Sequence, residues 1–232
     1  MSAHHGHEYS PVKFQYEDID QQNDTYVIGM WSFMVTEIMF FGGLFLIYTL
    51  YRMNYQGDWF KAHEHLDWRL GGINTANLLV SSMLMALAVR AAQLKKRVAV
   101  IRYLMTVVAC GGLFMAIKYV EYAGKIHDGL YPGPGFTNHM EHVGGANLNH
   151  AQLFYGLYFG MTGLHGVHVI VGMLIISFLI KFWYQNKKVV TEDYIPTELI
   201  GLYWHFVDIV WIFLYPLFYL MPQPYTVITG GH

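Results

Sequence analysis

The sequence predicts an all-α fold, an integral membrane bundle of five transmembrane helices. Two observations carry that reading. Of 232 residues, 54% are hydrophobic and only 13% charged, about half the charged share of a typical soluble domain. Five stretches, roughly 27–50, 73–91, 99–122, 151–182 and 199–221, each approach or exceed the about 20 mostly apolar residues a helix needs to cross a bilayer.

Each span is bounded by residues that belong outside lipid. A polar tail, residues 1–26, precedes the first. YRMNYQGDWFKAHEHLDWRLGG separates the first from the second, and the short RAAQLKKR separates the second from the third. The Gly- and Pro-rich KIHDGLYPGPGFTNHMEHVGGANLNH follows the third, QNKKVVTEDYIP follows the fourth, and residues 222–232 form a short C-terminal tail. No sequence repeat is visible, so 27–221 reads as one transmembrane domain.

Composition removes several function classes. The net charge of −2 and pI near 6.7 offer no clustered Lys and Arg for a nucleic-acid backbone. The single cysteine, Cys110, lies in an apolar run, which excludes a disulfide framework, a Cys-ligated zinc site and an iron–sulfur cluster. The N-terminus is polar and acidic, without the basic start and short apolar core of a signal peptide. His4, His5 and His7 within it read as part of a flexible tail rather than a metal site.

Orientation follows from positive charge, which stays in the cytoplasm. Lys13, Arg90, Lys95, Lys96, Arg97, Arg102, Lys181, Lys187 and Lys188 fall on one side; Arg52, Lys61, Arg69, Lys118 and Lys125 fall on the other. Nine against five places the N-terminus inside and the C-terminus outside. Trp59, Trp68, Trp183 and Tyr184 lie near span ends, where aromatic rings anchor a helix at the interface. Gly42, Gly43, Gly111, Gly112, Gly156, Gly160, Gly163 and Gly166 read as packing devices, with Gly156 and Gly160 forming a small-xxx-small face for another helix.

An ionisable side chain within the hydrocarbon costs roughly 2.5–3.5 kcal/mol on insertion scales, so each needs a partner or a role. Glu37 sits ten residues into the first span, about 15 Å deep at 1.5 Å per residue, and should be neutral or hydrogen-bonded to a partner on another helix. His165 and His168 are three apart in the fourth span, as are His205 and Asp208 in the fifth, so each pair shares a helix face. Glu37, His205 and Asp208 fall in the inner half with His168 near the middle, and the expectation is one cross-helix polar cluster. Lys118 and Glu121, three apart at the outer end of the third span, read as a salt bridge snorkelling to the interface. The histidines read chiefly as hydrogen-bonding glue between helices, with proton handling second. Two on one helix do not oppose each other across a haem.

At these residues the sequence resembles subunit III of the haem–copper oxidases, the cytochrome c and quinol oxidase family. The stretches FMVTEIMFFGGLF, GGINTANLLVSS, KYVEY, YFGMTGLHGVHVIVG and YWHFVDIVWIFLYPLFY carry the resemblance, in family order and across all five spans. The resemblance implies a helical bundle with a lipid-filled cleft that docks on the catalytic subunit I. That partner holds the haems and copper, reduces oxygen to water and pumps protons. It implies no catalytic residue, metal or cofactor in this chain, with bound phospholipids and support of proton uptake as its contribution. Glu37 matches the family's intramembrane carboxylate, and Glu121 the glutamate of its EY motif. His165, His168, Trp204, His205, Asp208 and Trp211 match its C-terminal signatures. Long-form members carry two further helices where only a polar tail stands here, so the resemblance is to the short five-helix bacterial form.

The resulting expectation is an accessory, non-redox subunit of a proton-pumping terminal oxidase in the bacterial inner membrane. Glu37, His165, His168, His205 and Asp208 are the proton-uptake cluster; Lys118, Glu121, Trp204 and Trp211 are structural or contact lipid and partner. A respiratory supercomplex is a further partner. The outer-loop His127, His139, His142 and His150 read as solvated or partner-facing rather than metal-binding. The alternatives are an accessory subunit of a quinol oxidase or nitric oxide reductase, and a free-standing proton or ion transporter.

Overall fold

The computed structural model describes residues 15–63, 66–133, 136 and 147–221. His4, His5, His7, His139, His142 and the tail 222–232 lie outside the described residues. Within the described residues the elements are α1 (Ile19–Asn54), α2 (Gln56–His63), α3 (Trp68–Gln93), α4 (Arg97–His127), α5 (Leu148–Tyr184), α6 (Lys188–Thr191) and α7 (Ile195–Tyr219). The five long ones, α1, α3, α4, α5 and α7, are long and apolar enough to cross a membrane. The short α2 and α6 sit in the connections.

The helices overrun the apolar stretches that mark them in the sequence. The clearest difference is at the start, where the segment read as a tail to residue 26 is helical from Ile19. Asp18 is the reason: its carboxylate accepts a hydrogen bond from the Gln21 N–H at 2.7 Å, capping donors that a helix start leaves open. With 36 residues, α1 is about 54 Å long at 1.5 Å per residue, well beyond the about 30 Å hydrocarbon core. Asp67 and Asn147 cap α3 and α5 in the same way.

Three helices end on a residue in the left-handed region: Lys95 after α3, Gly129 after α4 and Asn186 after α5. In each, two backbone N–H groups turn back onto the last turn, as when Lys96 donates to Ala91 and Lys95 to Ala92. The carbonyls a helix end leaves open are thereby satisfied. Arg97 adds to this at the α5 terminus, donating from Nε to the Trp183 carbonyl at 2.9 Å and from its second nitrogen to Tyr184. A residue read only as positive inner charge is also a cap.

In its most apolar window α7 is 50% buried and α1 only 17%. Thus α7 is the central helix, and α1 leans on the side of the bundle with most of its surface outward. Outward side chains such as Ile28, Trp31, Met39, Leu46 and Met53 are large and apolar, which suits lipid and not water. Tyr48, fully buried, ties α1 to the centre by donating its hydroxyl to the Leu217 carbonyl.

Two of the expected interfacial anchors are core residues. Trp59 and Trp183 are 0% and 1% exposed, whereas Trp68 and Tyr184 are exposed at 56% and 72%. Trp59 packs on Tyr48 and Phe154, and Trp183 donates its indole N–H to Thr197 at the start of α7. The glycine expectation also changes place. Among the described residues, and apart from its own helix backbone and chain neighbours, nothing lies within 4 Å of a Cβ added at Gly160, and at Gly156 only Pro132 is met, at 4.0 Å. Close approaches occur instead at Gly71 and Gly201, against Tyr215 and Val89, and at Gly111 and Gly172, where added Cβ atoms would lie 3.1 and 3.0 Å from the Trp204 ring. Gly111 and Gly172 make the slot that the indole fills.

Candidate functional site

The polar residues of the spans resolve into separate groups, set by which helix faces which. Glu37 on α1 meets His168 on α5, with Oε2 3.1 Å from Nε2, and both side chains are less than one-fifth exposed. The other imidazole nitrogen, Nδ1, lies 2.9 Å from the Leu164 carbonyl. A carbonyl only accepts, so Nδ1 carries a hydrogen. The contact to Glu37 then needs one proton between carboxyl and Nε2, held either as a neutral acid and base or as a carboxylate and imidazolium. In either form the contact is neutral overall.

This pair lies in the wall of a cleft of about 470 Å³ between α1, α5 and α7, otherwise lined by apolar side chains including Phe33, Val171, Ile175 and Leu199. Tyr203, also in its wall, donates its hydroxyl to the His168 carbonyl at 3.0 Å and fixes that turn of α5 against α7. Phe41 packs edge-on against the imidazole at 5.2 Å.

The other expected members of the cluster are elsewhere. His205 faces α3, where its Nδ1 lies 2.7 Å from Ser82 Oγ. Asp208, 2% exposed, lies beside the Ser81 and Ser82 hydroxyls. Neither carboxylate oxygen has a well-directed hydrogen bond from a described residue, because Ser81 is committed to the Leu78 carbonyl and Ser82 engages His205. His165 is fully buried between Phe114 and Trp211, without a hydrogen-bond partner among the described residues. The single cluster expected from depth along the spans is thus divided, because α7 presents Tyr203 toward α5 and His205 toward α3.

Lys118 and Glu121 do form a salt bridge, at 3.0 Å, but they do not snorkel. Both turn into the bundle and are at most 7% exposed. The ammonium donates to Glu121 Oε2, to the Tyr158 hydroxyl at 3.1 Å and to the Tyr219 hydroxyl at 2.9 Å. Both tyrosines in turn donate to Glu121 Oε1, at 2.8 and 2.5 Å. All three N–H bonds of the lysine are used, and the rings of Tyr122, Tyr158, Trp211 and Tyr219 surround the charge at 5.1–5.5 Å. Trp204 and Trp211 are likewise internal, their indole N–H groups donating to Ser81 and Thr75 of α3, both at 3.1 Å. None of the four is placed to contact lipid or a partner directly.

Ser82, Tyr158, Tyr203 and Tyr219 are site residues that the sequence reading passed over. The signal was a hydroxyl in an apolar span, which must find a partner when buried. His150 was expected in a solvated loop. It stands in the first turn of α5, with Nδ1 2.6 Å from Asp58 Oδ2 and its ring stacked 3.8 Å from Tyr55. The His150 hydrogen bond holds the Asp58 carboxyl below the usual aspartate range, against a smaller opposing effect of burial. Among the described residues no three His, Cys, Asp or Glu side chains converge to hold a metal ion.

Comparison with known proteins decides what this bundle is related to. Residues 135–222 match the family model of cytochrome c oxidase subunit III. Cytochrome c oxidase subunit 3 of Synechocystis sp. is 29% identical over 85% of this chain and 76% of its own length. These matches support the haem–copper oxidase subunit III family. Quinol oxidase subunit 3 of Bacillus spizizenii is 27% identical over 94% of this chain and 96% of its own. A haem–copper oxidase subunit I+III of Aeropyrum pernix is 26% identical over 83% of this chain, the match occupying 22% of that longer protein. The matches and the five apolar helices support an accessory, multi-pass membrane subunit of a haem–copper oxidase, the kind of chain that the relatives are named as. The five-helix bundle is the fold expected of that family.

Proposed function

We propose that this chain is a non-catalytic subunit that steadies the catalytic subunit I of a proton-pumping oxidase and supports proton uptake beside it. The observation that carries the reading is the Glu37–His168 pair, a one-proton unit sheltered in the wall of an apolar cleft. A carboxyl and an imidazole sharing one proton in a low-dielectric setting exchange it with little change in net charge. That property suits buffering of proton delivery and is of little use to a purely structural contact. Haems and copper belong to the partner chains. The cleft takes phospholipid acyl chains, which its Phe33, Val171 and Ile175 lining favours.

A docking role toward subunit I is supported by the relative named as a fused I+III chain. The excess of Lys and Arg at the end holding the α3–α4 turn supports an orientation with that end in the cytoplasm of a bacterial inner membrane. Relatives named for cytochrome c and for quinol match to similar extents, so either donor is compatible with this subunit. Gentle detergent purification from native membranes, followed by an optical spectrum and mass spectrometry of everything retained, tests the reading. A haem-containing subunit I is expected in the same particle. A chain that purifies alone and moves protons in liposomes would establish a free-standing transporter instead.

A further inference from the structure

A second cavity, of about 320 Å³, opens on the opposite side of α7 from the Glu37 cleft. Arg90, Gln93 and Glu198 stand at its mouth, near the end of α3 and the start of α7, and His205 forms its floor. The volume is roughly ten times the about 30 Å³ that one water occupies in the liquid. With charged groups at the entrance and an imidazole at the base, the cavity is polar enough to hold a water chain.

Behind the floor the polar contacts continue. His205 Nδ1 is 2.7 Å from Ser82 Oγ, and the Ser82 and Ser81 hydroxyls lie beside the Asp208 carboxylate. There the path stops. Trp204 and Trp211, both fully buried, flank Asp208 along α7, with their indole N–H groups committed to Ser81 and Thr75. The charged or titratable groups along the path are Arg90 on α3 with Glu198 and His205 on α7 at the cavity, Cys110 on α4 toward Asp208, and His165 on α5 against Trp211.

We propose that this cavity is a dead-end proton site, distinct from Glu37–His168, in which His205 and Ser82 carry a proton between cavity water and Asp208. In the unloaded arrangement His205 donates from Nδ1 to Ser82, and the Ser82 hydroxyl points to the Asp208 carboxylate. A hydronium in the cavity gives its proton to His205 Nε2. The Nδ1 proton moves to Ser82 Oγ, and the Ser82 proton moves to Asp208. The loaded arrangement has a neutral carboxylic acid donating to Ser82, Ser82 donating to Nδ1, and Nε2–H facing the water. One proton enters, one carboxylate is neutralised, and the imidazole and the hydroxyl end with their donor and acceptor roles exchanged. Nothing in this path requires Glu37, so it stands whether or not the Glu37 reading holds.

The test is infrared difference spectroscopy on the intact oxidase complex, stepped rapidly between alkaline and acidic buffer. The wild-type complex is expected to gain a carboxylic C=O band that is lost in Asp208→Asn and kept in Glu37→Gln. In His205→Phe and Ser82→Ala, which leave Asp208 in place, that band is expected to form about a hundredfold more slowly, the scale of a removed proton-transfer group. These two variants keep the test open if Asp208→Asn fails to assemble. A band that survives Asp208→Asn, or forms at the wild-type rate in both relay variants, overturns the proposal.

Discussion

Glu37 and His168 are 131 positions apart in sequence and 3.1 Å apart in space, joined across α1 and α5 by a carboxyl–imidazole hydrogen bond. This is the polar tie of α1 to α5, on a helix that otherwise gives most of its surface to lipid. His168→Leu strands the carboxyl in the cleft wall, and the expected loss is about 1–3 kcal/mol, the penalty of a buried group left without its partner. The double variant Glu37→Leu, His168→Leu is expected to regain most of it. Thermal unfolding in detergent of both variants reads the difference.

Lys118 has every N–H bond occupied within the α4, α5 and α7 core. Lys118→Met leaves Glu121 buried opposite two tyrosines without the cation that contacts it at 3.0 Å, and the expected destabilisation is about 3–5 kcal/mol. Lys118→Met combined with Glu121→Gln removes the orphaned charge and is expected to restore much of the stability. A double-mutant cycle on the melting transition measures the coupling.

The clamp between α2 and α5 responds to acid. Asp58 is held below its ordinary value of 3.8 chiefly by the hydrogen bond from His150, so the folded state binds a proton there less readily than the unfolded chain. Its contribution is therefore fully present above the ordinary aspartate range and is lost as pH falls through the lower folded value. Backbone amide exchange at Asn147–His150, where Asn147 N–H also donates to Asp58 at 3.1 Å, is expected to accelerate across that acid window. Asp58→Asn is expected to abolish the pH dependence.

Room for Trp204 depends on missing side chains. Gly172→Ala brings a Cβ to 3.0 Å from the indole ring, and a rigid, fully buried ring has nowhere to move; the expected cost is about 1–3 kcal/mol. Gly160→Ala, where an added Cβ meets nothing beyond its own helix within 4 Å among the described residues, is expected to be neutral or stabilising. Melting temperatures of the two variants, prepared side by side, check the contrast.

The five spans were legible because apolar length is a local property, and the polar residues worth attention were legible because a charge in hydrocarbon is conspicuous. Their partners were not. Ser82 and His205 are 123 positions apart, and depth along a span gives no information on rotation about the helix axis. Depth alone grouped Glu37 with His205 and Asp208; rotation of α7 placed them in two sites. Helix ends were obscured because Asp18 and Lys95 act through backbone hydrogen bonds rather than hydropathy. Trp59 and Trp183 looked like interfacial anchors from their position, but a tryptophan near a span end is equally able to face the bundle, and both do.

The most direct measurement of the central claim is the time course of oxygen consumption by the intact complex carrying Glu37→Gln. Gln preserves the size of the side chain and can still donate a hydrogen bond to His168 Nε2, while losing the ability to give up the shared proton. The expected result is a complex with its full set of subunits and haems whose sustained turnover departs from wild type, with the difference changing as external pH is varied. An assembled complex with wild-type turnover at every pH would contradict a proton role for the pair. Failure of this chain to assemble would reduce Glu37 to a structural residue.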